Sequence, residues 1–187
     1  KKIISKPQEN QNGQFDLFAT PGSGNISEEE SVRGYKTITT SDHFYQHINT
    51  PLSRKLFLKK LQKQTSDCFD TETTGLDVIG SQMVGISFSW KNHEAYYVNI
   101  AKNEADFEEQ FSILNTLFLR EDVLIIGQNL KYDLHILKNY GIEVKGKLFD
   151  TMVAHYLVAP EKKHGIDAIS EDYLNYSKIT PHYDNTY

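Results

Sequence analysis

Two carboxylates alternate along one predicted strand, Asp70 and Glu72 in the run Asp67–Leu76. Extended backbone sends residues two apart to the same face, about 7 Å apart at ~3.3 Å per residue. Two such anions repel each other, and a cation between them relieves the repulsion. Ligands that are all oxygen suit Mg²⁺ or Mn²⁺. Gly75 ends the predicted strand, so the pair is expected at its carboxyl end, open to a ligand. Alternating acids are also typical of a solvated strand face, and a third acid is needed to separate the two interpretations.

The third acid is Asp133, within the stretch Gly127–Asp133. This stretch follows the apolar strand predicted over 123–126 and opens the helix predicted over Leu130–Tyr140. If the two strands are neighbours, Asp133 faces the same crevice as Asp70, at the strand ends where open α/β sheets bind ligands. An acid in a first helical turn also interacts favourably with the helix dipole, which is the alternative explanation. Asn129 also has two possible roles, as the cap of this helix or as a hydrogen-bond donor to a ligand.

The composition bounds the class of protein. The chain has 187 residues, 39% of them hydrophobic, and a formal net charge of -5. These values predict one globular domain and exclude a protein that binds nucleic acid by bulk positive charge alone. A single cysteine, Cys68, excludes an internal disulfide and a multi-cysteine zinc site, suits a reducing cytosol, and is predicted to be buried. No apolar run approaches the roughly 20 residues of a membrane span, and the first residues lack the apolar core of a signal peptide.

Residues 1–34 are predicted to be a disordered linker between domains, because Gln, Asn, Gly, Ser and Glu dominate them. One apolar island interrupts this tract, Gln14–Phe18. It is either a local staple against the folded domain or a docking peptide that orders on a partner. The island resembles the Gln-x-x-Leu-Phe peptide with which bacterial replication and repair proteins bind the sliding clamp. A sliding clamp is therefore one predicted partner.

From residue 35 the pattern is that of a folded domain. Strands are predicted over Tyr35–Thr39, around Asp70, and over Gln82–Trp90, Glu94–Ile100 and 123–126. Helices are predicted from Ser41 to His47, over Leu52–Lys63 after Thr50-Pro51, and over 104–119, Leu130–Tyr140, 151–158 (capped by Asp150) and His164–Tyr176. The three consecutive strands suggest an antiparallel meander. The predicted fold class is α/β, a mixed sheet with that meander and helices on its faces.

The helix over Leu52–Lys63 places most of its basic residues away from its leucines. These residues are Arg54, Lys55, Lys59, Lys60 and Lys63. We interpret the cluster as a solvated face, with a weak contact to a DNA backbone as the alternative.

Four short stretches occur in order along the chain. They are Phe69–Asp77, Val84–Phe88, Gly127–Asp133 and Phe149–Met152. Together they resemble the 3′–5′ exonuclease (proofreading) domain of bacterial DNA polymerase I, a member of the DEDD exonuclease superfamily with a ribonuclease H-like fold. The resemblance implies that residues 35–187 are this domain, excised from a larger cytoplasmic, nucleoid-associated enzyme that also carries polymerase and 5′-nuclease domains.

The resemblance also implies roles for individual residues. Asp70 would bridge two Mg²⁺ or Mn²⁺ ions, Glu72 would bind the ion that carries the attacking water, and Asp133 would serve the second ion. The single-stranded 3′ end of DNA is the implied substrate. The residues implied to hold its terminal nucleotides are Thr73, Leu76, Gln128, Asn129 and Tyr132.

One part of the family pattern is missing. The family completes its site with a later Tyr-x-x-x-Asp motif, whereas here Tyr183 is followed four residues later by Tyr187. We therefore expect residues 1–187 to bind metal weakly and to have little or no nuclease activity. The main alternative is a vestigial exonuclease domain that serves as a structural or DNA-binding spacer. A free-standing ribonuclease D-like enzyme is disfavoured by the leader and by the Gly127–Asp133 stretch.

Overall fold

The computed structural model describes residues 34–100 and 104–179. The secondary structure described here lies within the unit formed by residues 36–187. Its strands are β1 (Phe44–Ile48), β2 (Ser66–Thr73), β3 (Met83–Lys91), β4 (Glu94–Asn99), β5 (Leu124–Gly127) and β6 (Lys147–Asp150). Its helices are α1 (Pro51–Leu61), α2 (Glu104–Phe118), α3 (Leu130–Asn139), α4 (Thr151–Val158) and α5 (Ile166–Leu174).

The strands form one mixed sheet in the order β1-β4-β3-β2-β5-β6. Strands β2, β3 and β4 make the predicted antiparallel meander, with Asp70 opposite Ser87 and Phe88 opposite Tyr96. The other three strands pair in parallel, β1 with β4, β5 with β2 and β6 with β5. The predicted α/β class and mixed sheet are thus confirmed, including the assumption that β5 neighbours the strand of Asp70.

Helix α1 begins where the sequence predicted. The Thr50 hydroxyl accepts from the Ser53 backbone N–H at 3.1 Å, and the Ser53 hydroxyl accepts from the Thr50 N–H at 3.0 Å. Pro51 occupies the first helical position, where a missing N–H costs nothing. This capping box fixes the start of the helix that leads into β2.

Aromatic side chains fill the core between the sheet and helices α1 and α2. Phe57 of α1 lies against Phe88 of β3 with ring centroids 5.4 Å apart. Phe118 of α2 meets Phe69 of β2 edge-on at 5.0 Å. Because Phe69 sits between Cys68 and Asp70, the packing of this one face determines which side chains of β2 point to the other face.

Several predicted elements differ from the structure. Tyr35–Thr39 is not a strand, since only Lys36 forms an isolated bridge, with Tyr176. The helix predicted from Ser41 to His47 is wrong, because Phe44–Ile48 instead forms β1, where a parallel partner in β4 satisfies its backbone. The sequence prediction also missed β6, which adds to the sheet through β5.

Two burial predictions are corrected as well. Cys68 is exposed, because it alternates with Asp67 and Phe69 and so shares the face of Asp70. Arg54, predicted on a solvated helix face, is buried and reaches to 3.9 Å from Glu109. Predictions on residues 1–33, including the clamp peptide Gln14–Phe18, lie outside the described residues. No helix in the described ranges is long and apolar enough to cross a membrane.

Candidate active site

Strand β2 presents the two predicted acids on one face. Its residues alternate between buried and exposed, so that Asp70 and Glu72 are both exposed while Phe69 and Thr71 are buried. Strand β2 ends at Thr73, which places the pair at its carboxyl end as the sequence predicted. The two carboxylates therefore stand together on an open part of the sheet.

Asp133 reaches the same strand from the first turn of α3. Its carboxylate is buried, and its Oδ1 accepts from the Thr71 backbone N–H at 2.9 Å and from the Thr71 hydroxyl at 2.6 Å. The pairing of β5 with β2 ends at Cys68 and Ile126, so Asp133 takes a backbone donor beyond the end of that ladder. These two hydrogen bonds connect Asp133 to Thr71, the residue between Asp70 and Glu72.

The electrostatics show that the acids act on one another. The pKa of Asp70 is raised to about 6 by partial burial, then by the charge of Asp133, then by that of Glu72. Burial also raises the pKa of Asp133, while its hydrogen bonds from Thr71 act in the opposite direction. Every neighbouring charge that acts on Asp70 is negative, and a bound cation would reverse this penalty.

The donors fit a hard divalent cation by their chemistry, since all are carboxylate oxygens. Their geometry is incomplete. In the part of the chain that the structure describes, no group of three His, Cys, Asp or Glu side chains is arranged to hold one metal ion. Asp70, Glu72 and Asp133 thus lie close enough to affect one another electrostatically, but they are not arranged around one metal position. Asp70 and Glu72 form the open, two-carboxylate part of such a site.

Three of the residues predicted to contact a nucleotide lie on or beside the loop that follows β2: Thr73 at the end of the strand, Leu76 on the loop and Tyr132 in α3. The hydroxyl oxygens of Thr73 and Tyr132 lie 2.7 Å apart, and each lies within hydrogen-bond distance of the Gly75 carbonyl, at 2.7 and 2.8 Å. Each hydroxyl carries one proton, so two protons serve these three contacts. These contacts fix the loop against α3. Leu76, next in the chain, has 94% of its surface exposed. A large apolar side chain held this far out on a fixed loop is available to pack against a flat ring of a ligand.

The other two predicted nucleotide contacts behave differently from each other. Asn129 adopts a left-handed backbone with φ of 60° and its side chain makes no cap. Left-handed backbone at a residue other than glycine is uncommon and is often found at functional sites. Gln128 is engaged within the protein, donating to the His164 carbonyl at 2.7 Å and accepting from the Thr151 hydroxyl. Its hydrogen bonds hold the turn against α4 and the loop before α5.

Asp150 replaces Asn129 as the cap of α3. One Asp150 carboxylate accepts from the backbone N–H groups of Asn129 and Leu130, at 3.1 and 2.8 Å, and from those of Met152 and Val153. Asp150 therefore caps both α3 and α4, whereas the sequence predicted that it caps α4 only. The double cap fixes the turn that carries Asn129.

Two residues of the site were not predicted from the sequence. Thr71 was treated only as a spacer, although it is the hydrogen-bond partner of Asp133. Tyr97 of β4 crosses over Gly85, where a β-carbon would overlap its ring. Burial, and then the charge of Glu72, raise the pKa of the Tyr97 phenol. Gly85 inside the strand predicted over Gln82–Trp90 was the available signal, because a glycine inside a strand marks close approach by another group.

Comparison with known proteins places this chain in a family. A family model described as 3′–5′ exonuclease matches residues 45–183. The chain is similar to DNA polymerase I of Borreliella burgdorferi, 35% identical over 96% of this chain and 19% of that protein. It is also similar to DNA polymerase I of Pseudomonas aeruginosa, 37% identical over 66% of this chain and 14% of that protein. The chain thus spans less than a fifth of the length of these relatives.

Solved structures agree at the level of the fold. The catalytic core of RRP6 from Trypanosoma brucei matches with a TM-score of 0.61 and 15% identity, over 97% of this chain and 53% of that one. Brucella melitensis NrnC with bound Mg²⁺ matches with a TM-score of 0.55 and 16% identity, over 75% of this chain and 66% of that one. Together these confirm the predicted ribonuclease H-like fold. By the extent of the family match, the chain belongs to the 3′–5′ exonuclease family.

Proposed function

We propose that this chain is the proofreading 3′–5′ exonuclease domain of a DNA polymerase I and that it acts on the single-stranded 3′ end of DNA. The observation that carries the proposal is the arrangement at the end of β2, where Asp70 and Glu72 are exposed and Asp133 is bonded to the Thr71 between them. The family match supports hydrolysis over the alternative of a structural spacer.

Asp70 and Glu72 would hold divalent cations, with Asp133 serving from the buried side. Two Mg²⁺ or Mn²⁺ ions supply, when bound, an activated water and stabilisation of the leaving 3′ oxygen. The protein itself provides the negative charge that retains these ions. Asp70 carries its proton up to a pH of about 6, so it is ionised and available as a ligand above that value.

The remaining residues would position the DNA strand. Leu76 offers an apolar surface to the terminal base, and the exposed Asn129 side chain makes no capping hydrogen bond. The hydroxyls of Thr73 and Tyr132 keep the loop of Leu76 in place. Gln128 would contribute indirectly, by holding the turn that carries Asn129.

The partners follow from the relatives. The polymerase and 5′-nuclease domains of a longer parent chain, and a cytoplasmic, nucleoid-associated location, are proposed because the similar DNA polymerases are several times longer. The sliding clamp stays a prediction from Gln14–Phe18.

The proposal is tested by following a 5′-labelled single strand incubated with the 187-residue chain and Mn²⁺. We expect slow shortening from the 3′ end, because no Tyr-x-x-x-Asp motif is present in this sequence. Shortening should stop with a chelator and in Asp70→Asn. The matched control is Glu121→Gln, which removes one exposed acid from the segment between α2 and β5 and should leave the rate unchanged.

A binding measurement covers the case in which turnover is too slow to detect. With Mn²⁺ present, the chain should prefer a hairpin with a 3′ overhang to the same hairpin with a 5′ overhang, and Leu76→Ala should weaken only the first. Equal binding of the two overhangs, without any shortening, would support the spacer alternative. Shortening that survives Asp70→Asn would contradict the proposed site.

A further inference from the structure

A basic hollow lies on the opposite side of the sheet from the acids. It has a volume of about 470 Å³ and lies between the last turn of α1 and strands β1, β3 and β4. Three lysines line it, Lys59, Lys60 and Lys63. Trp90 and Tyr96 also line it, and they lie on the face of the sheet that carries Phe88, since Phe57 contacts all three rings. Asp70 and Glu72 point to the other face.

The positive charge of this hollow is not neutralised by ion pairs within the described ranges. The lysines that have acidic partners there are Lys91, Lys145, Lys162 and Lys178, and none of these lines the hollow. The acid that lines it is Glu94, which is already paired with Lys91. Lys59 and Lys60 also interact favourably with the end of the α1 dipole. Lys63 lies beyond the helix end, so that effect does not explain it.

Two stacked aromatic rings form the floor of the hollow. Trp90 and Tyr96 stack with ring centroids 4.4 Å apart and an angle of 10° between their planes. The Lys60 ammonium lies 5.5 Å from the centroid of the Tyr96 ring, within the range of a cation–π contact. This contact orders the Lys60 side chain above the rings before a ligand binds. Less side-chain entropy is therefore lost when an anion binds.

We propose that this hollow binds the phosphodiester backbone of a DNA strand, as a contact separate from the hydrolytic site. The choice of DNA as the polyanion rests on the proposed function, whereas the preference for a polyanion rests on the three lysines. Lysine ammonium groups contact phosphates without regard to base sequence. Polar side chains of Gln46, Ser53 and Gln64 at the same hollow offer further donors to phosphate oxygens.

The protein contains its own reporter of this site. Trp90 is the single tryptophan of the chain and lines the hollow. An oligo-dT strand added to the 187-residue chain in EDTA should change the Trp90 fluorescence in a saturable way. The double variant Lys59→Gln/Lys63→Gln should bind at least tenfold more weakly in low salt. Its slope of log K against log[salt] should fall by about 1.4, since each lost phosphate contact on a single strand accounts for about 0.7.

The matched control is Lys138→Gln/Lys147→Gln, which removes the same charge from exposed positions outside the hollow. It should retain the affinity and the salt slope of the parent chain. Circular dichroism of both variants establishes that they fold alike. Equal losses in the two variants would overturn the proposal, because bulk charge would then explain the binding. The same fluorescence change with polyglutamate would overturn it too, whereas inorganic phosphate at equal phosphate concentration should have little effect.

The outcome is separable from that of the proposed function. Without a divalent ion no hydrolysis occurs, so the Trp90 signal reports binding alone. Asp70→Asn should abolish shortening of DNA and leave the Trp90 titration unchanged. Equal binding of the 3′ and 5′ overhangs without shortening, together with a normal titration, would reject the exonuclease and keep the hollow. Shortening from the 3′ end without a saturable Trp90 response would reject the hollow alone.

Discussion

The two faces of β2 have opposite characters although they alternate along the same eight residues. On one face, Phe69 is buried against Phe118 and belongs to the aromatic core. On the other, Cys68, Asp70 and Glu72 are exposed, and partial burial and neighbouring acids raise the pKa of the Cys68 thiol to about 11. Apolar neighbours stabilise the side chains of the first face, whereas the acids near the second face repel one another.

The difference shows how a single strand can serve stability and chemistry together. Because the side chains alternate, a slip of one residue would bury the acids and expose Phe69. The core on one face thus fixes the position of the carboxylates on the other. Thr71 and Asp133 connect the two faces, since a buried hydrogen bond holds the backbone between Asp70 and Glu72. Each face can be tested separately.

The largest effect is expected on the packed face. Phe69→Ala should lower the free energy of unfolding by about 3–5 kcal/mol, because it removes a buried ring and leaves a cavity against Phe118. Urea denaturation measures the change. The control is Cys68→Ala, one residue earlier on the open face, with an expected change below about 0.5 kcal/mol. Similar losses in both variants would remove the distinction between the faces.

The connection between the faces should show the next largest effect. Thr71→Val removes the hydroxyl that donates to Asp133 at 2.6 Å while keeping a similar volume. We expect a loss of about 1.5–3 kcal/mol, since a buried carboxylate loses a charge-assisted donor. Thr71→Ser keeps the hydroxyl and should lose clearly less. If both variants are equally stable by thermal unfolding, the Thr71 hydroxyl does not hold Asp133.

A third prediction concerns an acid on the packed face. Burial raises the pKa of Asp67 from 3.8 to about 6, and the nearby charge of Arg120 opposes that shift only in part. The folded protein therefore holds this proton more tightly than the unfolded chain. The resulting stability is present below pH 3.8 and is lost as the pH rises through about 6.

Asp67→Asn should accordingly raise the free energy of unfolding by about 1–2 kcal/mol at pH 8, because the variant does not bury the charge that Asp67 carries at this pH. The gain should disappear at pH 4, and urea denaturation at the two pH values measures it. Asp122→Asn is the control, since this exposed acid is paired with Arg120 and its pKa is lowered. A gain for Asp67→Asn that is the same at both pH values would contradict a raised pKa.

Much of this arrangement was predictable because it depends on patterns among residues that are close in the sequence. The alternation in β2, the helix start at Thr50-Pro51 and the cap at Asp150 each depend on residues close in sequence. The meander was predictable because its strands are consecutive. Local alternation alone is enough to place Asp70 and Glu72 on one face of β2.

What the sequence did not predict depends on contacts between distant residues. β1 was predicted as a helix, since its pairing with β4 is not visible locally. β6 was missed because Lys147–Asp150 lacks the continuous apolar run that marks β5, and its pairing with β5 is not visible locally either. The exposure of Cys68 depends on which face of β2 the core covers. The bond from Thr71 to Asp133 joins residues 62 positions apart. Such pairings appear only when the chain is folded.

The central claim is that the open face of β2 holds a divalent cation through Asp70. Titration of Mn²⁺, followed by the loss of its free electron-spin-resonance signal, tests this most directly. We predict weak binding that falls about tenfold between pH 7 and pH 5, since a proton with a pKa of about 6 competes for Asp70. Asp70→Asn should lose this binding and its pH dependence, and Glu121→Gln should keep both. Binding of Mn²⁺ to Asp70→Asn with unchanged affinity and pH dependence would contradict the claim.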